Sequence, residues 1–146
     1  MFILAHLASG MILGKVSGSY LPAIIGSVII DVDHLRTLIK NKVRLSPKKL
    51  WQIILDPNDP YGNQRNILHT LFGWAIVSAI ILLLNFEIGI IFSIGYLIHL
   101  ILDGIDNSDF HAFYPFSNVN LKGPIKYLSK YELIFSLILM TLFFMI

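Results

Sequence analysis

The chain has 146 residues, 55% of them hydrophobic and only 14% charged, with a formal net charge of +2 and no cysteine. A soluble globular domain carries about a quarter charged residues, so the balance indicates one lipid-solvated domain over residues 1–146 and excludes intrinsic disorder, a disulfide framework and a thiolate metal site. A charge this small cannot neutralise many phosphates, so no nucleic-acid groove binding is expected.

In chain order, two short apolar stretches come first, residues 2–13 and 20–30, joined by the turn residues 14–19. About twelve residues reach only about 18 Å as helix, so these two predict a hairpin buried among longer helices. A signal peptide is disfavoured because no basic residue precedes the apolar run and no small-residue cleavage site leads into a soluble domain. Residues 36–65 form a polar, basic connector in which Ser46-Pro47 begins a short helix carrying Leu50, Trp51, Ile53 and Ile54 beside Lys48 and Lys49, suited to a membrane surface.

Three longer apolar runs follow at 68–86, 88–102 and 133–146, against a need of about 20 residues for a full crossing. Asn85, Phe86 and Glu87 are expected to form a turn between the first two. Ser129 and Glu132 have the spacing of a capping box for a helix starting at Lys130. Between them, residues 104–120 hold Phe110, Phe113, Tyr114 and Phe116, the aromatic concentration of a bilayer interface. Gly26, Gly73, Gly89 and Gly95 are expected where helices approach closely. The fold expectation is all-α: a polytopic membrane bundle of about five helices with a short interfacial helix in the connector.

Basic residues set the orientation. Arg36, Lys40, Lys42, Arg44, Lys48, Lys49, Arg65, Lys122, Lys126 and Lys130 fall on one side of this topology and Lys15 alone on the other, so the first side is expected to face the cytoplasm of an integral, multi-pass cell-membrane protein.

The same topology gathers the polar residues. His6 starts the first helix, Asp31, Asp33 and His34 end the second, His69 starts the third, and His99 and Asp103 end the fourth, so all lie at one membrane face. His99 and Asp103 are separated by four positions and Asp31 and His34 by three, spacings that put each pair on one helix face. Imidazole and carboxylate together suit a divalent metal, with zinc expected, one to three ions, and Mn²⁺ or Fe²⁺ also compatible. The competing reading is structural: a lone His on an apolar helix is normally a hydrogen-bonded core residue, and Asp31 and Asp33 could be solvated at a helix end. Against it, a helix C-terminus disfavours anions, and polar groups at membrane depth are expensive. Arg65 and His111 are candidate substrate contacts; each also fits a plain interfacial role, Arg65 as a positive flank and His111 as a surface histidine.

His6, Ile30-Asp31-Val32-Asp33-His34, Gln64-Arg65-Asn66-Ile67-Leu68-His69-Thr70, Tyr96-Leu97-Ile98-His99-Leu100-Ile101-Leu102-Asp103 and Tyr114-Pro115-Phe116 together resemble the YdjM-like family of membrane-bound metal-dependent hydrolases over nearly the whole chain. The sequence departs from that pattern at Ile30, where the family usually has Pro, and at Gln64, Asn66, Leu68 and Thr70, which replace His, Gly, Thr and Ser. In ligand order the family is distantly similar to the zinc-dependent phospholipase C and nuclease group. The resemblance implies hydrolysis of a phosphoester, with a membrane lipid headgroup as the expected substrate. Asp33 is then the expected catalytic carboxylate, orienting or deprotonating a metal-activated water, while Arg65 offsets phosphoryl charge. The alternative is a non-catalytic metal-binding membrane module that recruits a cytoplasmic partner through its basic connector. A metal-ion transporter ranks last, because 76–84 and 138–146 are almost free of polar residues.

Overall fold

A computed structural model describes residues 1–40, 42, 46–54 and 66–146. They form α1 (Ile3–Ser17), α2 (Tyr20–Val28), α3 (Asp33–Lys40), α4 (Pro47–Ile54), α5 (Leu71–Leu84), α6 (Phe86–Ile105) and α7 (Lys130–Met145), with 3₁₀ turns at Ile29–Val32 and Ile67–His69. Among the described residues the only β pairing is one isolated parallel bridge, Asp106 to Ile125. The all-helical expectation therefore holds.

Local chemistry sets most of the boundaries. α1 ends at Gly18, which takes a left-handed φ of 72° that other residues adopt at a cost, and the chain reverses into α2. A single residue, Asn85, separates α5 from α6: its side chain accepts from the Ile88 N–H at 3.0 Å, and Phe86 and Glu87, expected in the turn, are already helical. Thr70 caps α5 by accepting from Gly73 N–H at 2.9 Å, so His69 stands just before that helix rather than within it. Ser46 accepts from Lys49 N–H at 3.3 Å at the start of α4. Helix α3 takes in Asp33 and His34, expected at the end of the second helix, and continues into the start of the expected polar connector.

The capping box of α7 is half made. Ser129 Oγ accepts from Glu132 N–H at 3.3 Å, but the buried Glu132 carboxylate does not reach back to Ser129. Its oxygens accept the N–H of Phe2 and of Leu128, both at 2.6 Å, so the residue expected to cap α7 also ties that helix to the start of α1.

α2 lies between α1 and α6, α5 packs on α6, and α7 on α1. The α2–α6 contact brings backbone onto backbone. A methyl group at Gly26 would collide with the Phe92 carbonyl, and one at Gly95 would come within 2.7 Å of Ala23 O, the close approach that small residues allow in membranes. Ile30, Phe92, Tyr96, Leu100, Phe110 and Ala112 form the buried core beside this contact. Phe110 and Ala112 reach it from the loop after α6, which is pinned by Gly123 N–H to Asp106 O at 2.8 Å and by Leu71 N–H to Ala112 O at 2.8 Å.

The outer surface is apolar as well: Ile76, Ile80, Leu83, Leu133, Leu137, Ile138 and Phe144 are all exposed. Patches of this extent suit lipid and not water. α6, at 20 residues, is the one helix among the described residues long and apolar enough to cross a membrane by itself, while Ile3–Ser17, Tyr20–Val32 and Leu71–Leu84 are apolar but shorter. The reason is local. Gly18, the 3₁₀ turns and Asn85 end these helices before they reach the length of a full crossing.

Gly26→Ala should force α2 off α6, lowering stability by about 1–3 kcal/mol as overpacked sites do. The check is the midpoint of thermal unfolding in detergent, and an unchanged midpoint would contradict the tight backbone contact.

Candidate metal centre

Five chain segments converge at one end of the bundle. His6 comes from the first turns of α1, Asp31 from the 3₁₀ turn after α2, Asp33 and His34 from the start of α3, His69 from the 3₁₀ turn before α5, and His99 and Asp103 from the last turns of α6. The positions of this group were legible in the helix order, and the structure does bring them together.

Two imidazoles lie at its centre, each held by its other nitrogen. His99 Nδ1 is 2.8 Å from the carbonyl of Ser27. A carbonyl only accepts, so Nδ1 carries a proton and Nε2 is the nitrogen that faces inward. His69 Nδ1 is 3.4 Å from Asp33 Oδ2, which gives the same polarity. That Asp33 oxygen also accepts the N–H groups of Asn66 at 2.9 Å and Leu68 at 3.0 Å, while Tyr96 O–H donates to Leu68 O. The turn carrying His69 is thus clamped from both sides. Burial alone would raise the Asp33 pKa, but the hydrogen bond and charge of His69 and the two backbone N–H groups outweigh it and hold the carboxyl below its ordinary value.

The inward nitrogens of His69 and His99 are 3.3 Å apart. Asp103 Oδ2 lies 3.5 and 3.4 Å from them, and Asp31 Oδ1 lies 3.6 and 3.7 Å from them. His69, His99 and Asp103 are almost wholly buried. Two imidazole nitrogens and two carboxylate oxygens therefore face one another, all but the Asp31 oxygen on almost wholly buried side chains. The separations exceed the roughly 2.7–2.9 Å of charge-assisted N–H···O bonds. Those among His69, His99 and Asp103, 3.3–3.5 Å, lie near the edge of a coordination tetrahedron with bonds of about 2.0–2.1 Å, which is about 3.3–3.4 Å, and those to Asp31 are longer. The donor set fits a divalent cation.

The rest of the set extends this centre. The His6 ring stacks on His99 with centroids 3.9 Å apart, its Nε2 is 3.5 Å from Asp103 Oδ1, and its Nδ1 is buried with no hydrogen-bond partner among the described residues. His34 stacks on His69 at 4.8 Å, with Nε2 3.9 Å from Asp31 Oδ1. Three groups have ligand atoms close enough to hold an ion: His6, Asp31 and His99; Asp31, His34 and His69; His69, His99 and Asp103. Asp33, expected as a ligand and as the catalytic carboxylate, belongs to none of them, because it stands behind His69. His111 also lies outside them, in the loop beside Asp109, whose carboxyl is held low by Lys122 at 2.6 Å and by Asn120. Arg65 falls outside the described residues.

Three participants were not foreseen. The Met1 ammonium lies 2.7 Å from Asp103 Oδ1 and 2.8 Å from Asp106 Oδ2, leaving Asp103 Oδ2 to face the imidazoles. Asp106 had a signal in its spacing, three positions after Asp103, and it stands just beyond the end of α6. The Ser27 carbonyl had none, because a backbone oxygen is invisible in a side-chain pattern.

A family model described as YdjM inner membrane protein matches residues 1–146. No curated protein and no solved structure matches the chain.

Asp33→Asn should keep the helices but weaken divalent-metal affinity about 10–100-fold, the usual effect of losing the carboxylate behind a metal-binding histidine; metal titration of the purified variant measures it. Acid should also weaken binding. Burial alone would lower the His69 pKa, but Asp31 and Asp33, with the charge of Asp103, outweigh it and raise it above the ordinary 6.5. Proton and metal then compete for Nε2, so retention should decline as pH falls through that raised pKa. Affinity independent of pH would remove His69 from the ligand set.

Proposed function

The chain belongs to the YdjM inner membrane protein family, and from that premise and the His/Asp centre we propose that it is a membrane-embedded, divalent-metal-dependent hydrolase of a phosphoester, with zinc as the leading ion and a lipid headgroup as the leading substrate. The carrying observation is the pair of inward imidazole nitrogens 3.3 Å apart, each also facing the carboxylates of Asp31 and Asp103. Nitrogen and carboxylate oxygen without thiolate is the donor chemistry of hydrolytic zinc, manganese and iron sites. The reading places several passes in the membrane, with the centre at the cytoplasmic interface. Lys122, Lys126 and Lys130 lie toward the centre's end of the bundle in the sequence order, whereas Lys15 sits at the far end, with its Nζ donating to Phe143 O at 2.9 Å.

The chemistry a bound divalent ion supplies is Lewis acidity toward a phosphoryl oxygen and acidification of water near pH 7. The protein's own groups do the rest. Ser27 and Asp33 keep the protons of His99 and His69 on Nδ1. Tyr96 and Ile30, both almost wholly buried, help to exclude bulk water from one flank, which strengthens every charge interaction within. Asp31 and His34, with side chains 24% and 36% exposed, form the open edge, whereas the side chains of His6, His69, His99 and Asp103 are at most 1% exposed. A headgroup enters at that edge. Because Asp33 Oδ2 is engaged by three N–H groups, its role on this reading is to hold and orient His69.

The test pairs elemental analysis of detergent-purified protein with phosphate or alcohol release from phospholipid vesicles. Stoichiometric metal with release that falls at least about 100-fold in His99→Ala supports the hydrolase. Stoichiometric metal without release supports the non-catalytic module instead, and folded protein without metal overturns both.

A further inference from the structure

The three ligand groups overlap, and the overlap restricts how many ions can bind together. The first and third share His99, the second and third share His69, and the first and second share Asp31. A carboxylate has two oxygens and can serve two cations, but an imidazole nitrogen has one lone pair and serves one. The second nitrogen of each shared imidazole is already committed, His99 Nδ1 to Ser27 O and His69 Nδ1 to Asp33 Oδ2. Neither ring can therefore be divided between two ions. Of the three pairings, only the one meeting at Asp31 can be filled at both places.

We propose, resting on the metal reading above, that the centre is dinuclear, with Asp31 bridging an inner ion held by His6 and His99 and an outer ion held by His34 and His69. Asp31 Oδ1 has the matching position, 3.7 Å from His99 Nε2, 3.6 Å from His69 Nε2 and 3.9 Å from His34 Nε2. The buried His6 Nδ1, with no hydrogen-bond partner among the described residues, independently marks the inner side as a place that lacks a protein partner. Asp103 Oδ2 lies 3.4 and 3.5 Å from His99 and His69 and so faces both places. The two ions differ in access. The His6 and His99 side chains are 0% exposed, whereas that of His34 is 36% exposed. Substrate meets the outer ion, and a chelator reaches it first.

The experiment uses the full chain in detergent, stripped of metal and reloaded with Mn²⁺. Wild type should hold two Mn²⁺ per chain with an exchange-coupled paramagnetic resonance spectrum, and a chelator should remove them in two phases. His34→Ala, at the open edge, should keep one tightly held ion, and Asp31→Asn should give an uncoupled spectrum. One ion per folded wild-type chain, or unchanged coupling in Asp31→Asn, overturns the dinuclear assignment while leaving a metal centre in place. No Mn²⁺ on wild-type protein that is helical by circular dichroism overturns the metal reading itself, and the assignment with it. Should Asp31→Asn fail to fold, His34→Ala decides: one remaining ion supports the bridge, and none or two overturns it.

Discussion

The rest of the molecule is organised around an electrostatic constraint. His69, His99, Asp31 and Asp103 direct lone pairs and negative charge into one space largely sealed from water. Such an arrangement is unfavourable unless a proton or a metal cation lies between the groups, since a buried charge without a partner costs far more than it returns. Several features of the fold hold these acceptors in place against their repulsion: the Ser27 carbonyl, the Asp33 clamp on the 66–70 turn, the stacked rings of His6 and His34, and the Met1 ammonium on the outer oxygen of Asp103. Site and scaffold are therefore one design. A centre prearranged in this way binds a cation with little reorganisation, the same logic by which ligands beyond the first contact tune metal sites.

How much of this was legible follows from what a sequence displays. The apolar runs and their breaks gave the order of helices, and up-and-down order alone placed His6, Asp31, His34, His69, His99 and Asp103 at one end. Residues separated by a hundred positions could be grouped with no knowledge of packing, because side-chain identity and helix order were sufficient. The Gly26 and Gly95 contacts were legible for a similar reason: glycine within an apolar helix has few uses besides close approach.

The rest depended on directions that composition does not carry. Asp33 is two residues from Asp31, and if the helix simply continued it would point away. The 3₁₀ turn at Ile29–Val32 redirects the chain so that Asp31 faces the centre and Asp33 receives the 66–70 turn from behind. Glu132 has the spacing of a capping acid, yet the N–H of Phe2, about one hundred and thirty residues earlier, is the better-placed donor. Helix count and helix length also separated. The runs were recognised, but their ends depend on single residues such as Asn85 and Gly18, so among the described residues only α6 has the length to cross alone.

The α2–α6 contact has a mechanical consequence. Two helices that touch where glycine meets carbonyl approach too closely for bulky side chains to lie between them at those points, so they behave as one plate. His99 rides on that plate, and Asp31 is attached to its edge. The opposite wall is built differently, from a short α3 and a turn held mainly by hydrogen bonds to Asp33. The centre is thus framed on one side by backbone packed on backbone and on the other by a turn whose position depends on the hydrogen bonds of a single carboxylate.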